Sequence, residues 1–151
     1  MSIIITGAIG ITRRLSKLEA VIARSPKEIV KIVSEARNKI TKRTNKGLDA
    51  MGNSFTPLND MYAIYKTGRG KRGIPDLHYE GHMLRAMQVK SIKNGAEIYF
   101  NNETERKKAV AHNFGNIHLG RNLPRRNFFR LGDKIEKYIF NQFRKPIKRI
   151  L

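Results

Sequence analysis

A chain of 151 residues, 40% hydrophobic and 28% charged, suits one domain around a single core. With no cysteine there is no disulfide framework, no thiolate zinc site and no cysteine nucleophile. Its 31 Lys and Arg against 12 Asp and Glu leave a net charge of +19, so the surface repels its own copies and favours nucleic acid, anionic lipid or acidic protein as neighbours.

The opening MSIIITGAIGITRRL places Arg13 and Arg14 after its apolar run, whereas a secretory signal carries its positive charge first. No stretch approaches the roughly 20 apolar residues that span a bilayer. A soluble chain with no membrane partner is expected. Ile3 to Ile5, closed by Thr6–Gly7, predict a short β-branched strand, and Leu15, Leu18, Val21 and Ile22 then recur at helical spacing. Ser25-Pro26-Lys27-Glu28 has the form of a capping box with proline at the first helical position. Ile29, Val30, Ile32, Val33, Ala36 and Ile40 follow as one apolar face, which predicts a helix over 26–44.

Glycines at 47, 52, 68, 70 and 73 and prolines at 57 and 75 cut residues 45–76 into turns, leaving Asp60 to Lys66 room for a turn or two of helix. TGRGKRG, within a flexible basic loop over 67–76, lacks the Ser or Thr that follows Gly-Lys in a phosphate-cradling loop. Its Arg69, Lys71 and Arg72 are the candidate contacts to a polyanion or a protein partner. Helical spacing returns over His78 to Met87. Val89, Ile92, Ile98 and Phe100 flank Asn94–Gly95, the dipeptide suited to a type I′ turn, and predict a hairpin over 88–101. Asn102 to Phe114 reads as a helix opening with Glu103 and Glu105 and closing near Gly115. Leu119 to Arg126 reads as a loop. Asp133 caps a last helix carrying Ile135, Tyr138, Ile139 and Phe143; Pro146 ends or bends it, and 145–151 form a basic tail. The expected class is α+β: one domain over 1–151, a small antiparallel sheet with a β-hairpin, packed by an N-terminal helical region, a middle helix and a C-terminal helix.

No constellation in this order points to catalysis. His78 and His82 stand four apart, as zinc-binding pairs do, but without the HExxH pattern. His112 and His118 bracket a glycine turn with no carboxylate between them. The few acids sit at helix starts or in turns, and no serine or threonine has a nucleophile elbow around it. No enzyme and no metal or other cofactor is expected. The cations beside aromatic rings in RRNFFR open a second reading, a basic nucleic-acid-binding protein without enzymatic activity.

Four landmarks in order, GNSFTPLNDMYAIYK (52–66), PDLHYEGHMLRAMQVK (75–90), AVAHNFG (109–115) and LPRRNFFRL (123–131), resemble the virion morphogenesis proteins of tailed bacteriophages, the tail completion or head–tail joining proteins of the neck. AVAHNFG is similar to an Ala-x-x-His-x-Phe-Gly signature, so His112, Phe114 and Gly115 match it. Asn113 stands where glutamine is common in the family. Pro124, Arg126 and Phe128 match a Pro-x-Arg-x-Phe signature. The resemblance implies a structural, non-enzymatic subunit, synthesised in the bacterial host cytoplasm and placed in the virion at the head–tail junction. There it forms a homo-oligomeric, often hexameric, ring. Its partners would be adjacent neck or connector and tail-tube proteins, with genomic DNA passing through the lumen. On this reading Gly115 lets the chain leave a helix in a left-handed conformation and Phe128 and Phe129 divide between the core and a neighbour. Arg126 then projects a planar fork toward a carboxylate on the adjoining subunit.

Overall fold

Ile29, Val33, Ala36 and Ile40 lie on one stripe of helix α1 (Pro26–Asn45), and all four are buried. The computed structural model describes residues 3–6, 26–93, 95–118 and 121–147. The Ser25 capping box, the helical spacing over residues 15–22, the type of the turn at Asn94 and the last residues of the basic tail lie outside that set. The stripe packs on strands β2 (Met87–Ile92) and β3 (Gly95–Phe100) and against the C-terminal helix.

The sheet is antiparallel and three-stranded. β3 is its central strand, paired on one side with β2 and on the other with β1 (Ile3–Thr6). The hairpin register sets Met87 opposite Phe100 and Ile92 opposite Gly95. Ala96, Ile98 and Phe100 alternate inward from β3. The other face is polar, with Lys90 paired to Glu97 at 3.1 Å and lying 4.8 Å from the Tyr99 ring centroid. That alternation is what a sheet with one covered face requires. Arg37 Nε donates to the Met87 carbonyl at 2.9 Å and fixes α1 to the start of β2.

Three further helices occupy the chain between and after these elements: α2 (Asp60–Thr67), the single turn α3 (His82–Arg85) and α4 (Glu103–Phe114). α5 (Asp133–Ile147) closes the fold, burying Ile135 and Ile139. The α+β class and the hairpin are as the sequence predicts. Two elements differ. The helix expected over His78 to Met87 shrinks to α3, because Leu77 and Gly81 both hold positive φ (52° and 78°) and Met87 already belongs to β2. The loop expected over Leu119 to Arg126 contains β5 (Arg121–Leu123), which pairs antiparallel with β4 (Asn116–His118). Strands of three residues are too short for alternation to reveal. The last helix takes its first hydrogen bonds at the Gly132 carbonyl, which accepts from Ile135 and Glu136, so Asp133 sits in the first turn rather than at the cap.

Arg43, near the end of α1, ties the distant parts together. Its Nη1 donates to the carbonyls of Ala50 (3.3 Å) and Leu131 (2.8 Å), and its Nη2 to those of Phe128 (2.8 Å) and Arg130 (2.7 Å). Ala50 N donates to the Asn127 carbonyl at 2.9 Å, which zips the same two loops. Gly132 is obligatory at this crossing: φ is +70°, and a Cβ there would land on the Ala50 carbonyl oxygen. Burial lowers the Arg43 pKa, opposed by nearby Asp49. Arg43→Lys keeps the charge, but one ammonium cannot serve four spread carbonyls. The expected loss is about 3 kcal/mol, seen as a fall of roughly 6–12 °C in the calorimetric Tm.

Candidate functional site

Helix α2 has its polarity inside out. Asn59 caps it, its side chain accepting from Met61 N, and the helix then exposes Met61 (76%), Ile64 (67%), Tyr65 (47%) and Tyr62 (43%). Its buried side chain is Lys66, 3% exposed. A surface helix ordinarily turns its apolar face to the core and its lysines to water, so among the described residues the apolar face of α2 has no cover.

The reversal is held by Asp76, itself buried. Its Oδ1 accepts from Lys66 Nζ at 2.5 Å and from His78 N at 3.1 Å; its Oδ2 takes Arg72 Nη2 at 3.1 Å. Lys66 also donates to the Ile74 carbonyl at 2.8 Å, and Arg72 to that of Asn45. Burial alone would raise the Asp76 pKa, but the hydrogen bonds from Lys66, His78 N and Arg72 outweigh it and hold the carboxyl below its usual value. TGRGKRG is therefore ordered from within by an anion of the same chain. Arg72 is committed to that anion. Arg69 lies over the Tyr65 ring, 4.6 Å from its centroid, and Lys71 is exposed.

Beside α2 runs a cleft of ≈ 960 Å³. Tyr62 and Tyr65 form one wall, and Leu77, Tyr79 and Met83 line it from α3 and the segment leading into it. His112, Leu123, Pro124 and Arg126 line it from α4, the end of β5 and the strip after it. Three of the motif residues named from sequence thus reach one cavity: His112, Pro124 and Arg126.

The other three do different work. Phe128 is fully buried, and Phe129 is 5% exposed with its ring 5.0 Å from that of Phe100, so both face inward and neither is offered to a neighbour. Phe114 is 58% exposed. Gly115 adopts φ 73° and ψ 150°, a region beyond the left-handed helical one and essentially reserved for glycine. An added Cβ there would press within 3.1 Å of the Leu123 carbonyl.

The expected outward fork of Arg126 does not exist. The residue is 5% exposed, because its backbone N donates to the His112 carbonyl at 2.7 Å and draws the strip under α4. Its guanidinium makes one long bond, Nη2 to the Thr56 carbonyl at 3.4 Å, and Nε has no partner. Burial lowers the Arg126 pKa, with Tyr62 opposing. His112, half-buried with Nδ1 unpartnered, is pushed down to about 4 by burial first and by the charge of Arg126 second. It stands neutral at neutral pH. Asn113, a departure from the resemblance, has its own structural role: its buried Oδ1 accepts from Phe129 N at 2.9 Å and pins the aromatic pair to α4.

Among the described residues no group of three or more His, Asp or Glu could hold a metal ion. His78 and His82 are separated by the Gly81 turn, and His82 Nδ1 lies 3.4 Å from Glu80. No described helix is long and apolar enough to cross a membrane.

Two measurements test this site. Asp76→Asn strands a buried ammonium, a change worth about 3–5 kcal/mol. Hydrogen exchange at Ala63, Gly68, Gly70 and Lys71, whose amides bond within the α2 arm, should accelerate about 100-fold or more. The second concerns His112, whose folded pKa near 4 lies below its unfolded value near 6.5. The unfolded chain therefore binds the proton first, and stability should fall as pH drops from about 6.5 toward 4. Chemical denaturation of His112→Gln across that range should show a flatter profile than the parent. No protein-family model, no curated protein and no solved structure matches the chain.

Proposed function

We propose that this chain is a structural, non-enzymatic virion protein of a tailed phage, one that forms a ring at the neck, completes the tail and joins it to the head. The observation that carries the reading is the inverted polarity of α2. A helix that exposes Met61, Tyr62, Ile64 and Tyr65 while burying its lysine is built to be covered by another protein. The order of the four sequence landmarks supports the same assignment.

A closed ring repeats one heterologous contact, so it needs one patch and its complement. The α2 face supplies the first; Phe114 on α4 and Phe140 on α5, 58% and 48% exposed, are apolar groups available to the second. Neighbouring neck and tail-tube proteins would meet the basic surface, and genomic DNA in the lumen would meet such exposed cations as Arg69 and Lys71. The alternative, a basic nucleic-acid-binding protein, draws on the Arg69–Tyr65 stack, a cation and a ring on one exposed surface.

Sedimentation velocity over a concentration series separates the two. The ring reading expects a closed species several times the monomer mass, lost in Met61→Glu/Ile64→Glu with an unchanged circular dichroism spectrum. A chain monomeric at every concentration that shifts duplex DNA, with affinity falling steeply in salt, favours the alternative.

A further inference from the structure

Arg126 poses a problem that the described residues do not solve. A guanidinium 5% exposed should be paired and fully hydrogen-bonded, because an uncompensated buried charge is costly. Yet among the described residues no carboxylate pairs with it. One bond, at 3.4 Å, goes to a neutral carbonyl, and Nε has no acceptor. His112, lining the same cleft, has an unpartnered Nδ1 that a neutral imidazole can use as a donor. Lys66 also lines the cleft, but it is consumed by Asp76 and Ile74.

The rest of the lining narrows what could answer. Tyr62, Tyr65, Leu77, Tyr79 and Met83 make the walls ring-bearing or apolar. Glu105 also lines the cleft: its Oε1 is held by Lys108 at 2.8 Å, while its buried Oε2 has no partner. Beside Glu105 and Glu80, a further lining residue, a polyphosphate brings more negative charge than one buried fork can meet, and duplex DNA needs a track of cations. A peptide fits the whole set. Its side-chain carboxylate suits Arg126 and His112, its N–H groups suit Glu105, and its apolar side chains suit the tyrosine walls.

We propose that this cleft is a receptor for an acidic, apolar-flanked peptide segment of a different protein, one carboxylate of which docks on Arg126 and His112. Charge selects the source. Copies of a chain at +19 repel one another, whereas an acidic partner is attracted. The inference deepens the neck reading by giving the chemistry of the non-identical neighbour, and it rests on that reading for the existence of such a neighbour.

The chain contains no tryptophan, so a tryptophan-bearing probe can be followed by its own fluorescence anisotropy. The probe is the capped peptide Leu-Glu-Trp-Glu-Leu; its control is Leu-Gln-Trp-Gln-Leu. The acidic probe should bind the full chain at least about tenfold more tightly than the control, the loss expected when a charge-assisted buried hydrogen bond is removed. Arg126→Gln should abolish that preference. Tyr62→Ala, at an exposed wall position, should weaken binding of the acidic probe and keeps the test valid if Arg126→Gln fails to fold. Lys137→Gln, an exposed position on α5 outside the cleft lining, should change nothing. No binding of the acidic probe, equal binding of probe and control, or full affinity in Tyr62→Ala would each overturn the proposal. So would duplex DNA binding that Arg126→Gln abolishes while the peptide fails. Sedimentation reads the ring separately: a monomeric chain that still discriminates the acidic probe loses the ring and keeps the receptor.

Discussion

The guanidinium of Arg43 is the constraint on which the functional end of the molecule depends. The strip from Pro124 to Leu131 has no regular secondary structure, so its carbonyls need donors from elsewhere. Arg43 supplies them for Phe128, Arg130 and Leu131 and takes the Ala50 carbonyl as well. A rigid fork with five N–H groups can do this; no other side chain can. With those carbonyls held, Phe128 and Phe129 are delivered into the core against Phe100, and Arg126 is delivered under the last turn of α4. The core anchors the strip, and the strip aims the charge.

A second tie works in the opposite sense. Hydrophobic burial stabilises Arg43's end of the fold, whereas the α2 arm is held mainly by charge. Lys66 and Asp76 are each about 4% exposed in their side chains, and the pair is surrounded by a helix whose apolar residues face water. Replacing such a pair with hydrophobic residues is often neutral or stabilising for an isolated protein. Here the pair takes the inward side of α2 while its large apolar side chains face outward.

Much of the scaffold was legible because it repeats. The stripe on α1 and the alternation around Asn94–Gly95 encode packing partners through spacing alone, and both elements lie within a residue of their expected limits. The short hairpin β4–β5 was hidden because three residues carry no period. The one-turn α3 was overestimated because backbone at Leu77 and Gly81 breaks the helix, a fact of φ rather than of hydrophobicity. At the site, sequence identified His112, Pro124 and Arg126 but not the burial of Arg126. Residues far apart in the chain decide that burial: Thr56 accepts from Arg126 and Tyr62 lines its cleft, both from a stretch whose sequence is cut by glycines and prolines. Arg43 and Asp76 were passed over for the same reason. Each looks like one more surface charge until its acceptors, up to 88 residues away for Arg43, are known.

The residues of the stretch from Ala111 to Phe129 therefore divide by task. Gly115 turns the chain where a Cβ would meet the Leu123 carbonyl, Asn113 accepts from Phe129 N, and Phe128 fills the core; these fix shape. Phe114 stays exposed, and buried Arg126 and half-buried His112 keep unpartnered nitrogens, Nε and Nδ1. A stretch selected only for folding would turn Phe114 inward and give Arg126 an acid. Leaving the ring wet and the charge unpaired lowers the stability of the isolated subunit, and both defects are of the kind that a neighbour removes: one by covering a ring, the other by inserting a carboxylate.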